Sequence, residues 1–186
     1  MTGEQIGQIL GIVVTVGCIV IAQFPKKWQI LGGQAFINVI SAINMYLLGQ
    51  GLVAAIPCIV ASVHCTVNCI INIAGNKKPS ILREIIFSCF YIIGWGIGFY
   101  ISFMNGEASP FAIMPLIAVG FFIAAVLSPT EQMMRIFSIC NACVYVIYNI
   151  IYWNSAVFAH IFTIISFLIA IFRYREKKDQ NKQKTS

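Results

Sequence analysis

Apolar stretches of similar length alternate with short polar connections along this chain. A helix needs about 20 apolar residues to cross hydrocarbon, and seven stretches meet that length. The first runs from about Ile6 to Phe24 and stops at Pro25-Lys26-Lys27. The second runs from about Trp28 to Leu48 and turns at Gly49-Gln50-Gly51. The third covers about Leu52 to Ala74 and ends in Gly75-Asn76-Lys77-Lys78-Pro79. The fourth spans about Ile85 to Met104, closed by a loop from Asn105 to Pro110. The fifth is about Phe111 to Leu127, stopped by Ser128-Pro129. The sixth is about Met134 to Trp153, with Asn154-Ser155 as the next turn, and the seventh is about Ala156 to Phe172. The pattern predicts an all-α membrane protein of seven transmembrane helices in one domain, residues 1–172, with a basic tail at 173–186.

The polar connections are not equivalent. The twelve Lys and Arg residues fall into the connections one–two, three–four and five–six and into the tail. The other connections carry none. Cytoplasmic loops retain Lys and Arg whereas short translocated loops do not. The N-terminus is therefore expected outside and the C-terminus in the cytoplasm. The net charge of +6 is explained the same way, as positive-inside charge near anionic headgroups, so nucleic acid is not expected as a partner. A chain 59% hydrophobic and 10% charged has too little charge for a soluble domain, which carries about 25%. Glu4 and the absence of an early Lys or Arg leave no signal-peptide n-region, so the first stretch is expected to stay as a span.

Both very short turns, after spans two and six, fall on the outer side. A shift of about 105 residues brings Val39 onto Val144, Asn44 onto Asn149 and Ala54 onto Ala159; with one gap, Pro25 meets Pro129. These matches predict a three-one-three plan. Repeat one covers about 6–74, a connecting helix 85–104 and repeat two 111–172. An odd number of spans per repeat needs that connecting helix to restore direction, giving parallel repeats about an axis along the membrane normal.

Within the spans, Gln34, Asn38 and Ser41 recur at four and three, so they share a helix face that Asn44 continues. Asn141 and Asn149 lie about two turns apart on span six and share a face too. His64 sits near mid-span. These residues (Gln34, Asn38, Asn44, His64, Asn141 and Asn149) are the candidate lining of a solute pathway. Amides can bond a neutral solute without a buried charge; the bland alternative is hydrogen bonding between helices. Glu84 and Glu131 read as cytoplasmic span ends, so no mid-span carboxylate offers an ion relay. The seven cysteines lie in apolar segments and read as small packing residues. Neither His64-Cys65-Asn68-Cys69 nor the Cys140–Cys143 pair makes a strong metal or redox motif. No cofactor and no enzymatic activity are expected. Gly7 and Gly11 make a small face on span one, and Gly94, Gly96 and Gly98 one on span four. Pro57 and Pro115 read as kinks inside spans three and five.

At Gln34-x-x-x-Asn38 … Asn44-x-Tyr46-Leu47-Leu48-Gly49, and at Tyr148-Asn149-Ile150-Ile151-Tyr152 … Ile169-Ala170-Ile171-Phe172-Arg173, the chain resembles the YgjV-type bacterial inner membrane proteins. That resemblance implies a multi-pass protein of the bacterial inner membrane. In plan it is similar to the SWEET sugar facilitators, PQ-loop proteins and PnuC-type vitamin transporters, which carry small solutes between two triple-helix bundles. It lacks any Pro-Gln pair, so no site residue is carried over from them. The expected function is a facilitator of a small neutral or weakly charged solute without strong ion coupling. The alternative is a non-transporting scaffold or partner subunit. The expected partners are the lipid bilayer and a small polar solute, and a homo-oligomer is compatible with the pattern.

Overall fold

A computed structural model describes residues 2–48, 51–75, 80–106, 109–151 and 156–183. Seven helices in it are long and apolar enough to cross a membrane: α1 (Gly3–Ala22), α2 (Lys27–Leu47), α3 (Gly51–Ile73), α4 (Ile81–Met104), α5 (Met114–Leu127, entered by a 3-10 turn at Pro110–Ile113), α6 (Glu131–Ile151) and α7 (Ala156–Gln183). There is no strand among the described residues. The expected turn at 49–50, the loop segments 76–79 and 107–108, and the turn at 152–155 lie outside them.

Local chemistry sets where the helices start and stop. Thr2 caps α1, its hydroxyl accepting from the Gln5 backbone at 3.3 Å while Gln5 accepts from the Thr2 backbone at 3.0 Å, a reciprocal capping box. The Thr130 hydroxyl accepts from the Met133 N–H at 3.2 Å at the start of α6. Gly75 and Gly106 follow α3 and α4 with φ of 79° and 73°, a left-handed conformation that glycine adopts freely.

Three boundaries differ from the hydropathy pattern. Ser80 caps α4, so this helix begins at Ile81 rather than near Ile85 and takes Arg83 and Glu84 into its first turn. Pro115 stands at the start of α5, where its missing N–H had no helical acceptor to lose, so it enters the helix without kinking its interior; Pro57 does lie inside α3. The last helix continues through the expected tail to Gln183.

The helices close into a ring. α2 packs between α1 and α3, and α6 between α5 and α7. α1 meets α7 and α3 meets α5, while α4 lies outside the ring against α3 and, more lightly, α5. Glycine permits the closest approaches. A Cβ on Gly7 would stand 3.0 Å from Leu48 Cδ2, and one on Gly33 would stand 2.5 Å from Ile21 Cγ1. The outer surface is apolar: Ile12, Phe36, Leu82, Phe103 and Phe158 are all more than 60% exposed. So much contiguous apolar surface requires a lipid solvent.

One end of the ring carries Lys26, Lys27, Arg83 and Arg135 and is called the basic end below. A packed cluster of Ile21, Ile30, Leu31, Cys65, Ala125, Val126 and Met134 lies near it. It draws on α1, α2, α3, α5 and α6 and so fills the ring at that level.

Candidate solute cavity and its polar surroundings

Above the packed cluster, toward the middle of the ring, lies a cavity of about 150 Å³. That is room for on the order of ten waters or one small solute. Its polar wall comes chiefly from Gln34, Asn38 and Ser41 of α2 and Ser138 and Asn141 of α6. Thr163 and His160 of α7 and Tyr91 of α4 add to it, and no Asp, Glu, Lys or Arg lines it among the described residues. His160 stacks on Tyr145, ring centroids 5.1 Å apart. The rest is apolar, including Val14, Ile37, Val119 and Phe122. An uncharged polar stripe on an apolar wall suits a neutral solute, because it orients the solute with amide and hydroxyl groups and buries no charge.

The hydrogen bonds divide the amides into spent and available groups. Asn141 Nδ2 donates to the Ala118 carbonyl at 2.7 Å, joining α6 to α5, which leaves its oxygen as an acceptor. Gln34 Oε1 receives the Cys65 thiol at 3.7 Å, which leaves its amide N–H groups. Asn38 forms no hydrogen bond to another described residue.

Three other expected pathway residues stand off the cavity. Asn44 is buried with Nδ2 donating to the Gly7 carbonyl at 2.6 Å, so it ties α2 to α1. Asn149 donates to the Tyr145 carbonyl of its own helix at 2.7 Å. His64 lies behind the wall, fully buried and paired with Glu84, with Nε2 to Oε2 at 2.6 Å.

That pair is the largest departure from the hydropathy reading. Glu84 lies in the first turn of α4, at the span end where it was expected, but it is only 4% exposed, so a buried carboxylate stands at the basic end. Arg83 Nε donates to Glu84 Oε1 at 3.1 Å, and Arg83 Nη2 donates to Asn68 Oδ1 at 2.7 Å. Phe87 stacks on the His64 ring at 4.2 Å. The sequence signal was present in Ser80: a cap at that position draws α4 back by one turn and carries Arg83-Glu84 toward His64.

At the basic end two cations hold helix termini across the ring. Lys27 Nζ of α2 donates to the Val126 and Ser128 carbonyls, at 2.6 and 2.7 Å, at the C-terminus of α5. Arg135 Nη2 of α6 donates at 2.7 Å to the Phe24 carbonyl just past α1. Each cation thus meets the negative end of a helix dipole. The arrangement is reciprocal: α2 holds the end of α5, and α6 holds the segment just past α1. Arg135 also lies over the Tyr174 ring at 4.6 Å, and the Tyr174 hydroxyl donates to the Gln23 carbonyl at 2.7 Å.

No three His, Cys, Asp or Glu side chains converge as a metal site would need, among the described residues. All seven cysteines are free, with Cys140 half-buried and Cys143 exposed.

A family model described as Imp-YgjV, bacterial inner membrane protein, matches residues 5–178. The chain belongs to this family. It is accordingly a multi-pass protein of the bacterial inner membrane, in keeping with its seven apolar helices. No curated protein and no solved structure matches it.

Proposed function

We propose that this YgjV-family protein is a facilitator for a small, neutral or weakly charged solute. The cavity carries the reading: a water-sized to solute-sized space in the ring, faced by uncharged polar groups of both α2 and α6. Asn38 and the amide N–H groups of Gln34 supply unspent hydrogen-bonding capacity there. The distribution of Lys and Arg supports an N-terminus outside and a basic cytoplasmic end. The ring of α1–α3 with α5–α7, and α4 lying outside it, supports the three-one-three plan of parallel repeats seen in SWEET-type carriers. On this reading the Lys27 and Arg135 clasps, with the packed cluster above them, seal the cytoplasmic end. Rocking of one triplet against the other would break them to open it.

The test is uptake by purified protein in proteoliposomes, across sugars, nucleosides and amino acids. Flux is expected for one class. It should fall at least about tenfold in Asn38→Leu, equivalent to about 1.4 kcal/mol of lost solute interaction, with thermal unfolding unchanged. Asn149→Leu, off the cavity, should retain flux. Absence of flux for every class refutes the reading.

A second reading is a non-transporting scaffold. The observation that favours it is the engagement of Asn44 and Asn141 in bonds between helices, the use expected of polar residues as structural glue. A stoichiometric partner recovered on purification in native lipid would support it.

A further inference from the structure

Glu84 and His64 sit behind the cavity wall, between the cavity and the basic end. The carboxylate is reached from the basic end through Arg83, which is partly exposed. The imidazole reaches the cavity through Tyr91, whose hydroxyl stands 3.5 Å from His64 Nδ1, the outer limit of a hydrogen bond. Tyr91 itself lines the cavity. The order of groups is therefore basic end, Arg83, Glu84, His64, Tyr91, cavity. Asn68 completes the support, holding Arg83 and donating to the His64 carbonyl at 3.1 Å.

The surroundings leave few other charges. From α2, Lys27 lies near enough to Arg83, Glu84 and Glu131 to interact electrostatically with them. From α5, Phe122 presents its ring edge to His64 at 5.9 Å. On α3, the neighbouring titratable group is the buried Cys65. On α4, Phe87 covers the ring face and Tyr91 its edge.

We propose that His64 and Glu84 form a proton-binding site that couples solute movement to the proton gradient. With the carboxylate ionised and the imidazole neutral, Arg83, Glu84 and His64 sum to zero charge. Nε2–H then donates to Glu84, and Nδ1 accepts from Tyr91. One proton arriving from the acidic outer side by way of the cavity, and later released toward the basic end, raises the trio to +1. If it resides on Nδ1, that atom becomes a donor, and the Tyr91 hydroxyl must turn to accept. Its own hydrogen then points elsewhere, so the cavity wall changes from one hydrogen-bonding state to another. A histidine is suited to this because each ring nitrogen can donate or accept, so one added proton reverses a hydrogen bond.

The coupling rests on the transport reading; the proton site does not, and two measurements separate them. The chain has two histidines, so His160→Gln leaves His64 as the sole signal in the ¹⁵N-histidine spectrum in lipid nanodiscs. The His64 ring is expected to change its protonation state as the pH is lowered, and to do so at a different pH in Glu84→Gln. A ring in one protonation state throughout overturns the site. In proteoliposomes, an inward acid gradient of about two pH units can drive up to about 100-fold accumulation at one proton per solute. Wild type should accumulate solute, while Glu84→Gln and Tyr91→Phe should only equilibrate it. Tyr91→Phe keeps the ring and its packing, so its loss of accumulation is not a folding defect. Flux indifferent to the gradient overturns the coupling and leaves transport standing; no flux for any solute overturns both, with the titration still deciding the site.

Discussion

Arg135→Met and Lys27→Met should open the basic end of the ring without unfolding the protein. Arg135 is 1% exposed. Its bond to the Phe24 carbonyl is charge-assisted and contributes about 1.5–3 kcal/mol. Its position over Tyr174 adds about 0.5–2 kcal/mol. Against these stands its Nε, a buried donor with no partner among the described residues, which costs about 1–3 kcal/mol. Methionine keeps the aliphatic volume and removes all three contributions, so the net loss is about 1–2 kcal/mol. Lys27 makes two bonds to carbonyls, but it is half-buried, and water offsets part of their strength, leaving a similar figure. A loss of about 1.4 kcal/mol is a tenfold shift in a two-state ratio. The two clasps join different helix pairs, so the shifts should multiply toward about 100-fold in the double variant.

The native cysteines report it. Cys18 and Cys58 both line the cavity, whereas Cys89 and Cys143 are exposed on the outer surface. A charged, membrane-impermeant thiosulfonate added at the basic side of inverted vesicles, read peptide by peptide by mass spectrometry, should label Cys18 about tenfold faster in each single variant. Unaltered labelling in a double variant that still melts cooperatively would refute the gate.

Asn44→Leu should lower stability by about 0.6–2 kcal/mol, because it breaks the bond from α2 to the Gly7 carbonyl; Asn149→Leu, whose bond is to its own helix, should cost less, and equal losses in detergent unfolding would contradict the assignment. Gly33→Ala should cost about 1–3 kcal/mol by overpacking against Ile21, and Ile21→Ala, which removes the clashing Cγ1, should cost less in that background than alone; additive losses in the pair, measured by thermal unfolding, would show that the clash is not where the geometry puts it.

Seven spans were legible because hydrocarbon imposes a length and a polarity on each crossing, and one dimension suffices to read both. The cavity wall was half legible. Periodicity put Gln34, Asn38, Ser41 and Asn44 on one face of α2, and the first three do line the cavity. Asn44 differs only in what stands opposite it: Gly7 of α1 has no side chain, so its carbonyl takes the amide. That is a property of another helix, invisible along α2. Asn149 spends its amide on the Tyr145 carbonyl one turn back, a choice that residue spacing does not record. Glu84 was expected at a span end and lies there, but its burial was not legible because hydropathy counts a carboxylate as a cost. His64, twenty residues away on α3, and Arg83 beside it offset that cost, and the Ser80 cap then extends α4 over both.

The choice of partner at the basic end bears on how the proposed gate could move. A buried Arg–Glu pair broken in each cycle would leave two uncompensated charges, at a cost of about 3–5 kcal/mol. Here the acceptors are backbone carbonyls at helix C-termini. When Lys27 or Arg135 lets go, one cation returns to water and headgroups, where the negative surface potential favours it, and the carbonyls left behind carry only partial charge. Opening is cheap on that side of the ring. The ion pair Arg83–Glu84 lies within α4, and the His64–Glu84 bond joins α3 to α4, so the proposed rocking need not separate either. The stronger electrostatics thus sits within α3 and α4, and the weaker contacts join α2 to α5 and α6 to α1, where the proposed rocking would part them.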